Sequence, residues 1–498
     1  MSLRLASLLI LSALLPGVLP AEPFKPHEVA VEKEMLITAL EVVGSPEANY
    51  PGVWSFGHLL DEAYGPEESR KIVAQWLENW AKGTQPAPFS TTPAPVPGRE
   101  NLDALVIAPW KLRDGYREGQ KEPWLPNLSN APFRLLAIVN RMDIAKRAEA
   151  AALVSTTPTY YTDTENSFLA NADGGEARFV FGAVDSRGEP LAGGMTLIFE
   201  YGLDAPLPGR VTDWARAWHK LGEHQAFDAA YRAELSKFTR LVTNKRPKTE
   251  SRSENTPRKT DLHERLWEEA ASESRQLLRI RSNDGACGKL REFRQFNAAT
   301  VGLVAARLPG TPDDVFFAKG SKENRWLAGW IEEQRVAPKE VRDRFQPGQE
   351  IPASLKTEIP TAFALPLNFG SGRDARRVSG FVATVVNNDK KFHWEGWGLR
   401  DEALRRNFSV QTCCGCHCGD TGTEFFHVAP RRVDELAPVS KFLRTDGSKL
   451  RLKDAANGRS FESSEIEDRK LLYLDVLSPG LSRAEIKRLT GARAGFVH

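Results

Sequence analysis

The sequence predicts an α+β fold, and three observations carry that expectation. Apolar residues recur at helical spacing, as in Ile72, Trp76 and Trp80. Other segments alternate, as Met195, Leu197, Phe199 and Tyr201 do with Thr196 and Glu200. The two kinds of segment are mixed without regular βαβ alternation, which argues against a parallel sheet wound by helices.

In chain order, residues 55–64 read as a short helix that Ser55 can cap. Pro66 and the acids Glu67 and Glu68 open a longer helix, where the dipole favours negative charge, and Gly83 stops it. Trp76 and Trp80 on its apolar stripe read as core. Residues 84–100 are rich in Pro and Thr and read as a surface crossing. Residues 132–143, "PFRLLAIVNRMD", have the look of a buried strand. Residues 178–185 and 194–202 flank a medium loop and read as a β-hairpin. Trp214, Trp218 and Leu221, then Phe227, Tyr231, Leu235 and Phe238, give two helical patterns. Residues 244–261 are polar, mixed in charge and carry proline, which predicts a mobile loop. Helical patterning resumes over 262–280. Residues 290–296 read as a strand, 321–333 as a helix, 378–389 as a strand and 399–410 as a short helix.

The first residues, "MSLRLASLLILSALLPGVLPAEPF", combine Arg4, an apolar run over 5–15 and a small residue at Ala21. This is the pattern of a secretory signal peptide over residues 1–21. The run is shorter than the roughly 20 residues a spanning helix needs. The expected mature chain of 477 of the 498 residues is therefore exported, periplasmic or secreted, with no integral membrane segment. Lys and Arg number 67 against 65 Asp and Glu, so the concentrated basic field of a nucleic-acid binder is not expected. Five cysteines in so long a chain do not make a disulfide scaffold.

Four of those cysteines and two of the nine histidines fall within "TCCGCHCGDTGTEFFH", residues 412–427. Cys413, Cys416 and His417 fit C-x-x-C-H, the pattern of covalent haem c attachment. Two thiols three residues apart can each add to one vinyl group of a single porphyrin. The following imidazole then reaches the iron. The four methionines, Met1, Met35, Met142 and Met195, all precede the motif, so His427 is the best local candidate for a second axial ligand. Imidazole in place of thioether lowers the potential. His393 is a weaker candidate.

Residues 399–427 resemble the haem-attachment sites of c-type cytochromes, with Phe408 near the end of a helix that leads into the motif. The resemblance implies Cys413 and Cys416 as thioether positions and His417 as proximal ligand. Beyond this, "WSFGHLL", "FRLLAIVNRMD", "IFEYGL", "LREFRQF" and the motif itself are similar to stretches of a group of exported bacterial proteins of undetermined function. That similarity implies one architecture across much of the mature chain and no particular activity.

Two other chemistries compete for the same loop. Cys413, Cys416 and His417, with Cys418 or His427, offer zinc a Cys/His set, although adjacent Cys416, His417 and Cys418 cannot easily all reach one ion. Cys287 is the one remote cysteine and a candidate disulfide partner for Cys414 or Cys418. No G-x-S-x-G, H-E-x-x-H or P-loop is present, and no catalytic residue is assigned. The expected organisation is a signal peptide over 1–21, an α+β body of one or two domains over 22–395, and a C-terminal, mostly irregular and helical, haem-attachment-like region over 396–498. The expected function is electron transfer or redox sensing with a redox partner protein. The alternative is a non-haem binding or structural protein whose Cys-rich loop is held by zinc or disulfides.

Overall fold

Residues 132–143 do form a strand, and a sheet is built outward from it in the computed structural model. The structure describes residues 28–84, 96–143, 175–202, 208–243, 277–288, 291–299, 302–306, 311–312, 316–335, 344, 352–356, 368–369, 376–377, 381–382, 384–385, 396–410, 412–417, 425–444, 450–453, 460–463 and 465–477. Residues 1–21, expected to be a signal peptide, residues 244–261, expected to be a loop, and His393 and Cys418 lie outside the described residues.

Eight antiparallel strands make the main sheet: β1 (Leu36–Ile37), β2 (Phe133–Arg141), β3 (Glu176–Ala183), β4 (Met195–Gly202), β5 (Leu277–Asp284), β6 (Arg291–Ala299), β7 (Gly302–Ala306) and β8 (Thr384–Val385). Their order is β1-β2-β3-β4-β5-β6-β8, with β7 also paired to β6. The class is α+β, as the mixed patterning predicts. The expected hairpin is β3–β4, in register from Glu176 opposite Gly202 to Gly182 opposite Thr196.

Side chains alternate between the two faces of a strand. One face carries Leu135, Phe179, Phe181, Leu197, Phe199, Ile280 and Phe296 into the main core. Helices α1 (Phe56–Tyr64), α2 (Pro66–Lys82), α3 (Pro208–His219) and α4 (Ala229–Thr243) add their apolar stripes to that core. Ser55 caps α1, its Oγ accepting from His58 N at 3.3 Å. Gly83 ends α2 at φ 83°, a conformation glycine adopts without a Cβ penalty. Trp76 and Trp80 are core residues, stacked at 5.7 Å and buried against Phe296. The 321–333 expectation is met by α5 (Lys322–Glu333), capped by Ser321, and that over 399–410 by α6 (Glu402–Val410).

The helical reading of 262–280 fails at its end. Residues 277–280 belong to β5, a central strand between β4 and β6. The alternation there was hidden because one face of β5 is arginine, not apolar: Arg279 and Arg281 point away from the core that Ile280 enters. The expected 378–389 strand is described only at 381–382 and 384–385, where the two pieces pair with different partners.

The second face of the sheet is divided in two. Over β2 to β4 it is aliphatic, with Ala137, Val139, Val180 and Ile198 covered by Val428, Phe442 and Leu443. Beside that patch it is ionic. Arg178, Arg279 and Arg281 share Glu176 and Glu200, with Arg178 Nη2 2.5 Å from Glu176 and Arg281 Nε 3.3 Å from Glu200. A last helix, α8 (Glu465–Leu477), is anchored in the main core through Ile466, Tyr473, Leu474 and Leu477. Its Tyr473 hydroxyl donates to Ala215 O of α3 at 3.0 Å.

Candidate metal centre

The C-x-x-C-H residues form one helical turn, α7 (Cys413–His417), stacked directly on the end of α6. Thr412 makes the junction. Its hydroxyl donates to Ser409 O at 2.7 Å and accepts from Gly415 N at 3.3 Å, and Cys416 N donates to Thr412 O at 3.0 Å. Gly415 is required here because an added Cβ would stand 2.7 Å from Ser409 Oγ and closer still to the Ser409 carbonyl, a backbone group that cannot swing aside.

His427 reaches the same place from a separate loop. Val428 bridges Val439, Ala429 N donates to Pro438 O at 2.9 Å, and Ser440 N donates to His427 O at 2.8 Å, so the two arms of the loop are zipped together. Arg431 fastens the loop to the body. Its Nη1 donates to the carbonyls of Arg432, Val433 and Glu435, and its Nη2 to those of Val43 and Leu135 at 3.1 and 3.3 Å. Arg431 is thus a structural clamp.

Cys416 Sγ lies 3.2 Å from His427 Nε2, and the His417 and His427 rings stand 4.3 Å apart between centroids. One donor atom from each of Cys416, His417 and His427 falls within 4.8 Å of the other two. The outer hydrogen bonds are made as well. His417 Nδ1 donates to Phe425 O at 2.8 Å, which leaves Nε2 as the lone-pair nitrogen. His427 Nδ1 meets Ser440 Oγ at 3.0 Å. Phe293 packs against His417 at 4.8 Å and against Phe425 at 4.9 Å, giving the group an apolar wall.

Electrostatics favour neutral imidazoles. Burial, with Arg281 nearby, pushes His417 down to about 4. Burial, then His417, Arg469 and Arg141, hold His427 well below the usual histidine range. Burial and Glu465 push the Cys416 thiol up to about 12, and burial and Cys414 raise Cys413 too. A Cys beside a His can also serve as an activated nucleophile. Here that proton transfer would place an imidazolium among arginines in a half-buried site, so the pair is poorly set for it. A cation supplies the positive charge that thiol ionisation needs, and neutral imidazoles are the form that ligates. The group could hold a metal ion.

Of the residues singled out in the sequence, Cys416, His417 and His427 are brought together. Cys413 sits beside them, in a small cluster with Cys414, Phe293, Phe425 and Phe426. Cys287 and Cys414, singled out as candidate disulfide partners, lie in different clusters, Cys287 in the main core and Cys414 with Phe293 and Phe425. Cys287 is in the main core, its Sγ 3.9 Å from Met195 Sδ. Sequence reasoning did not find Ser440, Phe293, Arg141, Arg281 or Arg469. The one trace of Arg281 was its alternation with Ile280 in "RIR".

Fold and site together define an α+β protein with a Cys/His group able to take a metal ion. Among the described residues no helix is long and apolar enough to cross a membrane. Compared with known proteins, the chain matches no family model, no curated protein and no solved structure.

Proposed function

We propose that the chain is an exported metalloprotein in which Cys416, His417 and His427 hold one transition-metal ion, with zinc the ion their chemistry matches best. The observation that carries this reading is the convergence of one thiol and two imidazoles, from the α7 turn and from the separate His427 loop, within 4.8 Å. Around a tetrahedral zinc, sulfur and nitrogen ligands stand ~3.5 Å apart. Cys416 Sγ and His427 Nε2, at 3.2 Å, stand close to that spacing. The hydrogen bonds from His417 to Phe425 O and between His427 and Ser440 supply the outer support that ligating histidines normally have.

A second reading, covalent haem c on Cys413 and Cys416 with His417 as proximal ligand, is favoured by one observation. The motif is intact on one helical turn, and the His417 Nδ1 bond to a backbone carbonyl leaves Nε2 for iron. Haem would bring redox chemistry and a redox partner. The placement of His427 weighs against it as the opposite axial ligand. Two imidazoles facing each other across one iron, each about 2 Å from it, hold their ring centroids roughly 6 Å apart. The observed 4.3 Å is nearer the roughly 5.2 Å of neighbouring positions on a tetrahedral ion.

The two readings exclude each other at Cys416, because a thioether sulfur is no longer a thiolate. Purify the chain after co-expression with c-type maturation machinery, then measure metal content and stain for haem after denaturing electrophoresis. One zinc per chain, lost in Cys416→Ser and His427→Ala, supports the first reading. A haem-stained band supports the second and overturns the first. A colourless, metal-free chain sinks both.

A further inference from the structure

The ionic half of the sheet's second face leaves positive charge uncompensated where it meets the Cys/His group. Among the described residues Arg178, Arg279 and Arg281 pair with Glu176 and Glu200 alone, which leaves one net positive charge among these five side chains. Arg141 is balanced by Asp143 and Arg469 by Glu465. Arg281 shares a face of the sheet with Phe293: it stands opposite Gln295, and Phe293, two residues along that strand, packs on His417 at 4.8 Å. The charges of Arg281, Arg141 and Arg469 all bear on the Cys/His group. A divalent ion bound to one thiolate adds a second net positive charge at the same spot. Arg291, over the ring of Phe425 at 5.2 Å, adds a further cation close by. Uncompensated charge in a half-buried site is costly, and an anion relieves it.

Arg281 is the group placed to meet that anion. It is the outermost of the three arginines, with a side chain 32% exposed against 16% for Arg178 and 5% for Arg279. Its Nε is buried, 3.3 Å from Glu200 Oε2, and makes no hydrogen bond among the described residues. Burial, together with Arg279 and Arg178, depresses its pKa, so it gains more than its neighbours from a new negative partner. Three protein donors also leave a tetrahedral ion one position for an exogenous ligand, the arrangement of open zinc sites. A guanidinium matches carboxylates and oxyanions by its planar fork of donors.

We propose that the metal held by Cys416, His417 and His427 takes a small carboxylate or oxyanion as its fourth ligand, with Arg281 binding that anion's second oxygen. This rests on the metal reading above.

The test uses the full chain loaded with cobalt(II), whose visible ligand-field bands report directly on the ligands. Acetate and inorganic phosphate are titrated separately, with chloride at matched ionic strength as the control. The expected result is a saturable band shift with acetate or phosphate that chloride does not reproduce. In Arg281→Gln the anion's dissociation constant should rise by about tenfold or more, with Arg281→Lys in between. The lysine variant also serves if the glutamine variant does not fold. Cobalt bands that ignore both anions overturn the proposal and leave the metal reading standing. An equal response to chloride overturns the ligand class. Unchanged anion affinity in both variants overturns the role of Arg281. Absence of cobalt bands overturns the metal reading and this proposal with it.

Discussion

Gly415→Ala tests how the α6–α7 junction sets the metal site. The new Cβ would stand 2.7 Å from Ser409 Oγ and closer to the Ser409 carbonyl, whereas real Cβ contacts essentially never fall under 3.0 Å. The Ser409 carbonyl belongs to the last turn of α6, whose Leu404 and Phe408 are buried with Phe317, Leu327 and Ile331, so α6 is poorly able to retreat. Relief must come from α7, which we expect to move by about 1 Å, at an overpacking cost of about 1–3 kcal/mol. Cys416 and His417 ride on α7, while His427 is held by its own loop. A shift of that size far exceeds the ~0.2 Å tolerance of metal–ligand distances. Zinc affinity, measured by competition with a chromophoric chelator, should therefore fall by at least about 100-fold, or roughly 2.8 kcal/mol. Urea unfolding of the metal-free chain should show the smaller loss from overpacking alone. Wild-type zinc affinity in a folded Gly415→Ala chain would refute the reasoning, because it would mean that the close approach does not position the ligands.

The other predictions concern the support of the site. Ser440→Ala should weaken zinc binding by about 10–100-fold while leaving the unfolding midpoint of the metal-free chain nearly unchanged, since it removes only the hydrogen bond that orients His427. Arg431→Met should lower stability by about 2–4 kcal/mol in urea titrations, because it strands several loop carbonyls; a loss under about 0.5 kcal/mol would show that the clamp is idle. At pH 7 the thiol of Cys416 is protonated and both imidazoles are neutral, so zinc binding should release close to one proton per ion. Calorimetry in buffers of different ionisation enthalpy measures this, and zero release would exclude Cys416 as a thiolate ligand. His417 is held near 4 in the fold against about 6.5 unfolded, so the unfolded chain binds more protons between these values. Stability of the metal-free chain should fall as the pH is lowered through that window, and His417→Gln should flatten part of the slope.

The helices and the central hairpin were legible because their apolar residues keep one period and meet one core. The Trp76 and Trp80 stripe, the Ser55 cap and the Gly83 stop all act locally, and local rules read them. Strand β5 was not legible because its outward face is arginine, and only the carboxylates of Glu176 and Glu200, far away in sequence, make that face buriable. Short β1 carries too few residues to show any period. At the site, spacing singled out Cys413, Cys416 and His417 as one unit. Folding regroups them: Cys416 and His417 join His427, and Cys413 turns toward Cys414 and Phe425. That regrouping depends on the loop held by Arg431, whose carbonyl partners Val43 and Leu135 lie nearly 400 and 300 residues upstream and leave no mark near the motif.

The lattice of Glu176, Arg178, Glu200, Arg279 and Arg281 has a further consequence for how the sheet assembles. Its members come from three neighbouring strands, with Arg178 directly opposite Glu200 and Glu200 opposite Arg279. Sliding one of these strands by a single residue would turn its charges into the aromatic core and bring Phe179, Phe199 or Ile280 out among the remaining ions. Sliding by two would restore the faces but set charges opposite the wrong partners. An all-apolar second face would tolerate such a two-residue slip. The ionic one makes each misalignment leave buried charge without its counter-ion, so the lattice works as an alignment key that admits a single pairing of β3, β4 and β5.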